Sequence, residues 1–299
     1  MKFYSLILAA LPFLLAACAA GGGAGATDSL PSTPAKSGFA PVNGLQMYYE
    51  IHGDHPGTPL VLLHGGGSTI DSTFGRVLPL LAHQRTVIAL EEQAHGRTSD
   101  RAAPVRFESS ADDVAALLAQ LHVAKADLFG FSNGAGVALQ VAIRHPEVVR
   151  KIVFGSFFTK KAGGIPQLWT MLEHADFSEM PQELKDAFLK VNPDPMKLRT
   201  MHDKDVDRML SFRDVDDALL RQVTVPILVM AGDQDVVTVD HAAALAHTFP
   251  HARLLVVPGG HGDYFGEISA PRDAHTSRST AMVAGVIDDF LNEPVVPAK

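Results

Sequence analysis

The chain has 299 residues, with 25 Lys and Arg against 33 Asp and Glu, for a net charge of −8. That acidic balance argues against a nucleic-acid partner, which needs a basic face to neutralise phosphates. Apolar residues at 46% exclude a disordered chain, and the single cysteine excludes a disulfide framework or a Cys-rich metal site.

The N-terminus opens with Lys2 and an apolar stretch over 3–17. It is short for a span of about 20 residues and suits the apolar part of a secretory signal. It ends in Leu15-Ala16-Ala17-Cys18, which resembles the lipobox of bacterial lipoproteins. That resemblance implies removal of 1–17, lipidation of Cys18 and a membrane anchor. Ala19 after the cysteine implies outer-membrane sorting. The alternative is a plain signal peptide that leaves a soluble periplasmic or secreted protein. Residues 19–38 are rich in Gly, Ala, Ser and Pro without an apolar period. With Cys18 they read as a flexible tether, and the folded domain is expected over 39–294.

From about residue 45, short apolar runs alternate with helical patterns. Strands are predicted over 46–51, 59–63, 86–90, 126–131, 149–154, 226–230 and 253–257. Helices are predicted over 111–121, 135–143, 241–249 and 279–291. Strand alternating with helix predicts an α/β fold, a mostly parallel central sheet with helices on both faces. Residues 159–224 break the rhythm with amphipathic pieces at 167–175, 181–191 and 204–210. A crossover needs one helix, so this interval reads as an inserted helical lid. Within it Trp169, Met171, Phe177 and Met180 either face a pocket or form the lid's own core. The acidic run 205–217 reads as a solvated helix face.

The chemistry concentrates at strand ends. The strand over 126–131 runs into Gly130-Phe131-Ser132-Asn133-Gly134 and a helix follows. A serine on so tight a turn is held with its oxygen above the sheet, and the positions two before and two after it must be nearly side-chain-free. Gly136 lets the helix sit close to its neighbours. Downstream, Ala231-Gly232-Asp233-Gln234-Asp235 closes one strand and Gly259-Gly260-His261-Gly262 closes the next. Open α/β sheets place their sites at such C-terminal strand ends. Upstream, His64-Gly65-Gly66-Gly67 follows another strand, where a glycine loop can aim a backbone N–H at a developing oxyanion. No H-E-x-x-H and no His/Asp cluster with metal-ligand spacing is present.

These motifs, HGGG at 64–67, GFSNG at 130–134, GDQD at 232–235 and GGHG at 259–262, resemble the α/β-hydrolase superfamily, in particular its serine esterase-like branch with a helical lid. The resemblance implies Ser132 as nucleophile, His261 as general base and acid, and Asp235 as the acid that orients it. Asp233 is then a turn residue. It also implies an oxyanion hole from the backbone N–H groups of Gly66 and Asn133, no cofactor or metal, and a small acyl substrate. Ester cleavage is the expectation; amidase or aminopeptidase activity is the alternative. A non-catalytic binding protein of the same fold is the alternative of another class. His64 and His95 read as structural. One loop departs from the family's D-x-R-G-H-G-x-S pattern: Glu91-Glu92-Gln93-Ala94-His95-Gly96-Arg97-Thr98, with Gln93 and Ala94 in place of Arg and Gly. That difference implies an altered pocket wall.

Overall fold

The computed structural model describes residues 33–295. The predicted signal over 1–17 and Cys18 lie outside those residues, as does most of the tether. Among the described residues no helix is long and apolar enough to cross a membrane.

The chain begins with a hairpin, β1 (Lys36–Val42) and β2 (Leu45–His52). Asn43 and Gly44, both at positive φ, join them in a two-residue turn. β3 (Leu60–Leu63) leads to the short helices α1 (Ile70–Phe74) and α2 (Leu78–Ala82), then β4 (Val87–Leu90) and α3 (Phe107–Gln120). β5 (Ala126–Phe131), α4 (Asn133–Arg144) and β6 (Val149–Gly155) follow. The next segment carries α5 (Pro166–Glu173), α6 (Gln182–Val191), α7 (Pro195–Leu210) and α8 (Asp217–Leu220). The chain then returns through β7 (Ile227–Gly232), α9 (Val239–Thr248), β8 (Ala252–Val257) and α10 (Ala274–Asn292).

The eight strands form one sheet in the order β1-β2-β4-β3-β5-β6-β7-β8. The β1–β2 and β2–β4 pairs are antiparallel and the remaining pairs are parallel. β3 (LVLL) and β4 (VIAL) read as unbroken apolar runs because both faces are covered. Val61 and Leu63 of β3 face a core built with Val114 and Leu117 of α3, Val137 of α4 and Leu245 of α9. Leu60 and Leu62 face the opposite core with Phe74 of α1, Leu81 of α2 and Ile287 of α10. Burying one Leu or Ile side chain in such a layer contributes about 1.5–3 kcal/mol.

Three features differ from the sequence reading. The fold starts inside the predicted tether, since β1 begins at Lys36 rather than after residue 38. Its first three residues, Lys-Ser-Gly, have no apolar pattern, and Phe39 on this edge strand is exposed. The helices α1 and α2, at five residues each, are too short for a helical period to register. The predicted helix ends fall within five residues of the observed ones except in α7, which starts at Pro195 and is extended by the Asp194 cap.

Charges are buried at the base of the sheet: Asp127 on β5, bound by Arg150, and in register with it Lys151. Lys151 on β6 is 1% exposed, and its Nζ donates to the carbonyls of Phe290 (2.6 Å), Leu291 (3.3 Å) and Glu293 (2.6 Å) at the end of α10. Burial lowers its pKa, and these acceptors compensate the ammonium.

Candidate active site

The turn at Ser132 has the geometry its glycines demand. Ser132 sits at φ 52°, ψ −124°, a conformation an L-residue holds only when its surroundings impose it. A Cβ on Gly130 would run into the Gly134 carbonyl, and one on Gly134 into the carbonyls of Leu63 and His64. Ser132 occupies the N-cap position of α4, yet its side chain makes no capping bond. The oxygen of an ordinary cap would accept from a backbone N–H of the first helical turn.

Asp235 and His261, from the ends of β7 and β8, meet beside this turn. Asp235 Oδ1 lies 2.7 Å from His261 Nδ1, and the His261 ring packs on Phe131 with centroids 4.6 Å apart. Asp235 Oδ1 also accepts from Val236 N (2.7 Å), and Oδ2 accepts from Gly232 N (3.0 Å) and Ser156 Oγ (2.5 Å). Burial alone would push the Asp235 carboxyl up. Hydrogen bonds from His261, Ser156 and Gly232, with the charge of His261, hold it below the usual carboxylate range. The carboxylate therefore takes the Nδ1–H of His261 and leaves Nε2 as the ring's free base. Asp233 does not reach His261; its Oδ1 accepts from Gly259 N at 2.8 Å and ties the two strand-end loops together.

Sequence reasoning missed Ser156 and Tyr264. Ser156 follows β6 at φ 52°, and its hydroxyl proton is committed to Asp235. Tyr264 OH, 2.6 Å from Ser156 Oγ, must then be the donor to it. Ser156 carries no motif, and its role emerges only when β6 and β7 pair.

Gly66 and Asn133, the expected oxyanion donors, lie together: a Cβ on Gly66 would meet the Asn133 side chain at about 2.5 Å. Neither backbone N–H makes a hydrogen bond within the described residues.

The segment 159–224 packs over this end of the sheet. Met180 and Leu184 stand against Gly67. Met180, Phe188, Leu198 and Met201 form a small core with Ala94. Trp169 packs on Phe158 and Phe212 and donates to the Lys161 carbonyl at 2.9 Å, and Phe177 packs on His202. Met171 is exposed. A cavity of about 340 Å³ opens beneath the segment between α3 and α4; Phe107, Gly136, Phe157, Arg208 and Phe212 help line it, and Ser132 does not.

The acidic run 205–217 is only partly the solvated face expected of it. Asp207, Asp214 and Asp216 are exposed, but Asp205 is buried. Its Oδ2 accepts from Gly67 N (2.6 Å) and His95 Nε2 (2.8 Å), and its Oδ1 accepts from Arg208 (2.5 Å). Arg208 also donates to Glu92 Oε2 at 2.8 Å. His64 completes the cluster as a neutral ring: Nε2 accepts from Glu92 N (3.0 Å) and Nδ1 donates to Gly65 O (2.8 Å). Burial lowers its pKa to about 4. The departing loop serves as the dock for this corner. Ala94 sits at φ 66°, where glycine would be unstrained. Gln93 binds Asp100 and the carbonyls of Arg101 and Ala103, all three also bound by Lys204 of α7.

This sheet, with a serine turn after β5 and an acid and a histidine after β7 and β8, is the α/β-hydrolase fold. A family profile described as alpha/beta hydrolase fold matches residues 58–188. The chain is 34% identical over 121 residues to pyrrolizixenacetamide deacetylase of Xenorhabdus hominickii, which covers 40% of this chain and 45% of that one. It is 37% identical over 107 residues to 2-hydroxymuconate semialdehyde hydrolase of Pseudomonas sp. (strain CF600), covering 34% and 38%. It thus spans less than half the length of these curated relatives. The crystal structure of the enol-lactonase from Burkholderia xenovorans LB400 superposes with a TM-score of 0.67 at 20% identity, over 85% of this chain and 100% of that one. At that identity the likeness speaks to the fold.

Proposed function

We propose that the protein is a serine hydrolase that cleaves carboxylic esters through an acyl-enzyme. The observation that carries this reading is the uncapped Ser132 at positive φ beside an Asp235–His261 pair 2.7 Å apart. Asp235 fixes the His261 tautomer, and His261 Nε2 takes the Ser132 proton as its oxygen attacks the acyl carbonyl. The oxyanion is received by the N–H groups of Gly66 and Asn133, an effect worth about 3–4 kcal/mol per donor. His261 returns the proton to the departing alcohol, and water repeats the cycle on the acyl-enzyme. Nothing in this sequence of steps calls for a metal or cofactor.

Amide cleavage is the second reading, favoured by the match to a protein named as a deacetylase of an acetamide. A panel of p-nitrophenyl esters beside acyl- and aminoacyl-anilides separates the two. Fluorophosphonate labelling of wild type and Ser132→Ala tests both. Label on the wild type alone is expected, and equal label on the variant would exclude Ser132 as nucleophile. An unlabelled wild type without turnover would favour the non-catalytic alternative.

For location we propose a lipid anchor at Cys18 that holds the enzyme at the bacterial outer membrane. Support comes from Leu15-Ala16-Ala17-Cys18 closing an apolar stretch. Cys18→Ser is expected to move the protein from the membrane to the soluble fraction or leave it unprocessed. A wild type that is already soluble with a free thiol would overturn the anchor.

A further inference from the structure

Three successive glycines make the loop after β3 costly to order, and the chain ties down its two outer peptides. Gly65 N–H donates to Thr73 Oγ1 (3.3 Å) and Gly67 N–H to Asp205 Oδ2 (2.6 Å), while the Gly66 N–H between them stays free within the described residues. The tie at Gly67 comes from α7, 138 residues further along the chain. It brings a liability. Asp205 Oδ2 would lie 3.2 Å from a Cβ on Gly66, and a bare carboxylate there would repel negative charge forming on a substrate oxygen.

His95 answers it. Its Nδ1 lies 2.9 Å from the Gln93 carbonyl and its Nε2 2.8 Å from Asp205 Oδ2. Both partners accept only, so both ring nitrogens carry hydrogen and the ring is a cation. The charged groups around it are Asp205 and Arg208 from α7 and Glu92 from the loop after β4. The neutral His64 ring lies against its face, centroids 4.8 Å apart. Two carboxylates and two cations balance. Burial alone would lower the His95 pKa, but the Asp205 charge and hydrogen bond raise it above the ordinary histidine value.

We propose that Asp205 and His95 are positioning residues for the oxyanion hole. Asp205 holds the Gly67 peptide from the lid so that Gly66 N–H stays turned toward the substrate carbonyl, and the His95 imidazolium cancels the charge this introduces. The inference rests on the reading of Gly66 N–H as an oxyanion donor.

The test measures kcat and KM for p-nitrophenyl acetate in wild type, Asp205→Ala, Asp205→Asn, His95→Gln and Ser132→Ala, with circular dichroism to verify folding. Asp205→Ala is expected to lose about ten- to a hundred-fold in kcat with KM within about twofold, short of the loss when an oxyanion donor is removed outright. Asp205→Asn keeps an acceptor for Gly67 N–H and should recover part of that loss. His95→Gln should lose about tenfold in kcat, because one Arg208 cation, shared with Glu92, is then left to offset two carboxylates beside the oxyanion. Folded variants with wild-type kcat, or a loss confined to KM, would overturn the inference. Should Asp205→Ala not fold, the two conservative variants decide, together with a pH titration of side-chain ¹⁵N spectra of histidine-labelled wild type. Those spectra should show His95 keeping both ring protons to a higher pH than an ordinary histidine; a ring that loses its proton at or below the ordinary histidine pH would overturn the charge balance. If Ser132→Ala keeps its turnover, the hydrolase reading fails and takes this inference with it. If Ser132→Ala is dead while the other variants match wild type, this inference alone fails.

Discussion

Two corners of the same sheet edge are built on opposite plans. Around Ser132, the polar groups come from adjacent loops at the ends of β5, β6, β7 and β8, and His261 remains partly exposed with a ring nitrogen to spare. Around Gly67, the polar groups come from α7 and the loop after β4, and both His95 nitrogens are used. The first corner leaves one ring nitrogen of His261 without a partner among the described residues, as the proposed proton transfer requires. The second satisfies His95 on both sides and leaves no ring nitrogen to react, which suits a fastening rather than a reaction.

The largest effects should separate the corners by what they damage. Ser132→Ala and Asp235→Asn are expected to cut turnover by at least about ten-thousand-fold, with thermal unfolding unchanged in Ser132→Ala. Asp233→Asn, which loses only a loop bond to Gly259, should cost less than about tenfold. Steady-state kinetics on the three variants check this, and the reverse ranking of the two aspartates would move the orienting acid to Asp233.

Arg208→Met should do the opposite. It leaves the Glu92 and Asp205 carboxylates buried beside an apolar side chain, and breaking such a pair costs about 3–5 kcal/mol. Urea unfolding should show that loss, while the residual folded enzyme still takes up a fluorophosphonate at Ser132. A variant as stable as wild type would mean that α7 is held by its apolar contacts alone.

Acid should attack the Gly67 corner through His64. Its native pKa, about 4, lies below the unfolded value near 6.5, so the neutral ring's contribution is complete above 6.5. That contribution falls away as pH drops from 6.5 to 4, by a loss on the order of 3 kcal/mol. Protonation would put a hydrogen on Nε2, where Glu92 N already donates. Melting temperatures at pH 7 and pH 4.5, compared between wild type and His64→Asn, should show a smaller pH slope in the variant.

The smallest change sharpens the Ser132 corner. Ser156→Ala removes one of four donors to Asp235. Losing a hydrogen bond to a charged group costs about 1.5–3 kcal/mol, part of which should appear as a kcat loss of about tenfold. With one donor fewer, the Asp235 carboxyl pKa should rise, which a carboxylate NMR titration of the variant beside wild type would read.

The contrast also explains what could be read from the chain alone. Gly130, Ser132 and Gly134 advertise their turn because steric demands fall on consecutive residues. The loops that carry Asp235 and His261 could be located because each closes an apolar run, while the choice of Asp235 over Asp233 came from the family resemblance. Ser156 and Asp205 could not, because their meaning depends on partners 79 and 138 residues away. Asp205 in particular lies in a run of acids whose other members do face water, and sequence supplies nothing to set it apart. The hairpin at Asn43-Gly44 is a different case: a turn signal was present, but the polar start of β1 disguised the strand it closes.

Lys151 ties the end of the chain's last described helix to the middle of the sheet. Its three acceptors belong to residues 290–293, so a nascent chain that has made the whole of β6 carries a lysine whose native partners do not yet exist. Until they do, the ammonium stays in water, and the arrival of the end of α10 is what exchanges that water for carbonyls. A truncation at residue 289 removes all three acceptors and should leave the lysine solvated, with β6 less well covered and the domain measurably less stable to urea than the full chain.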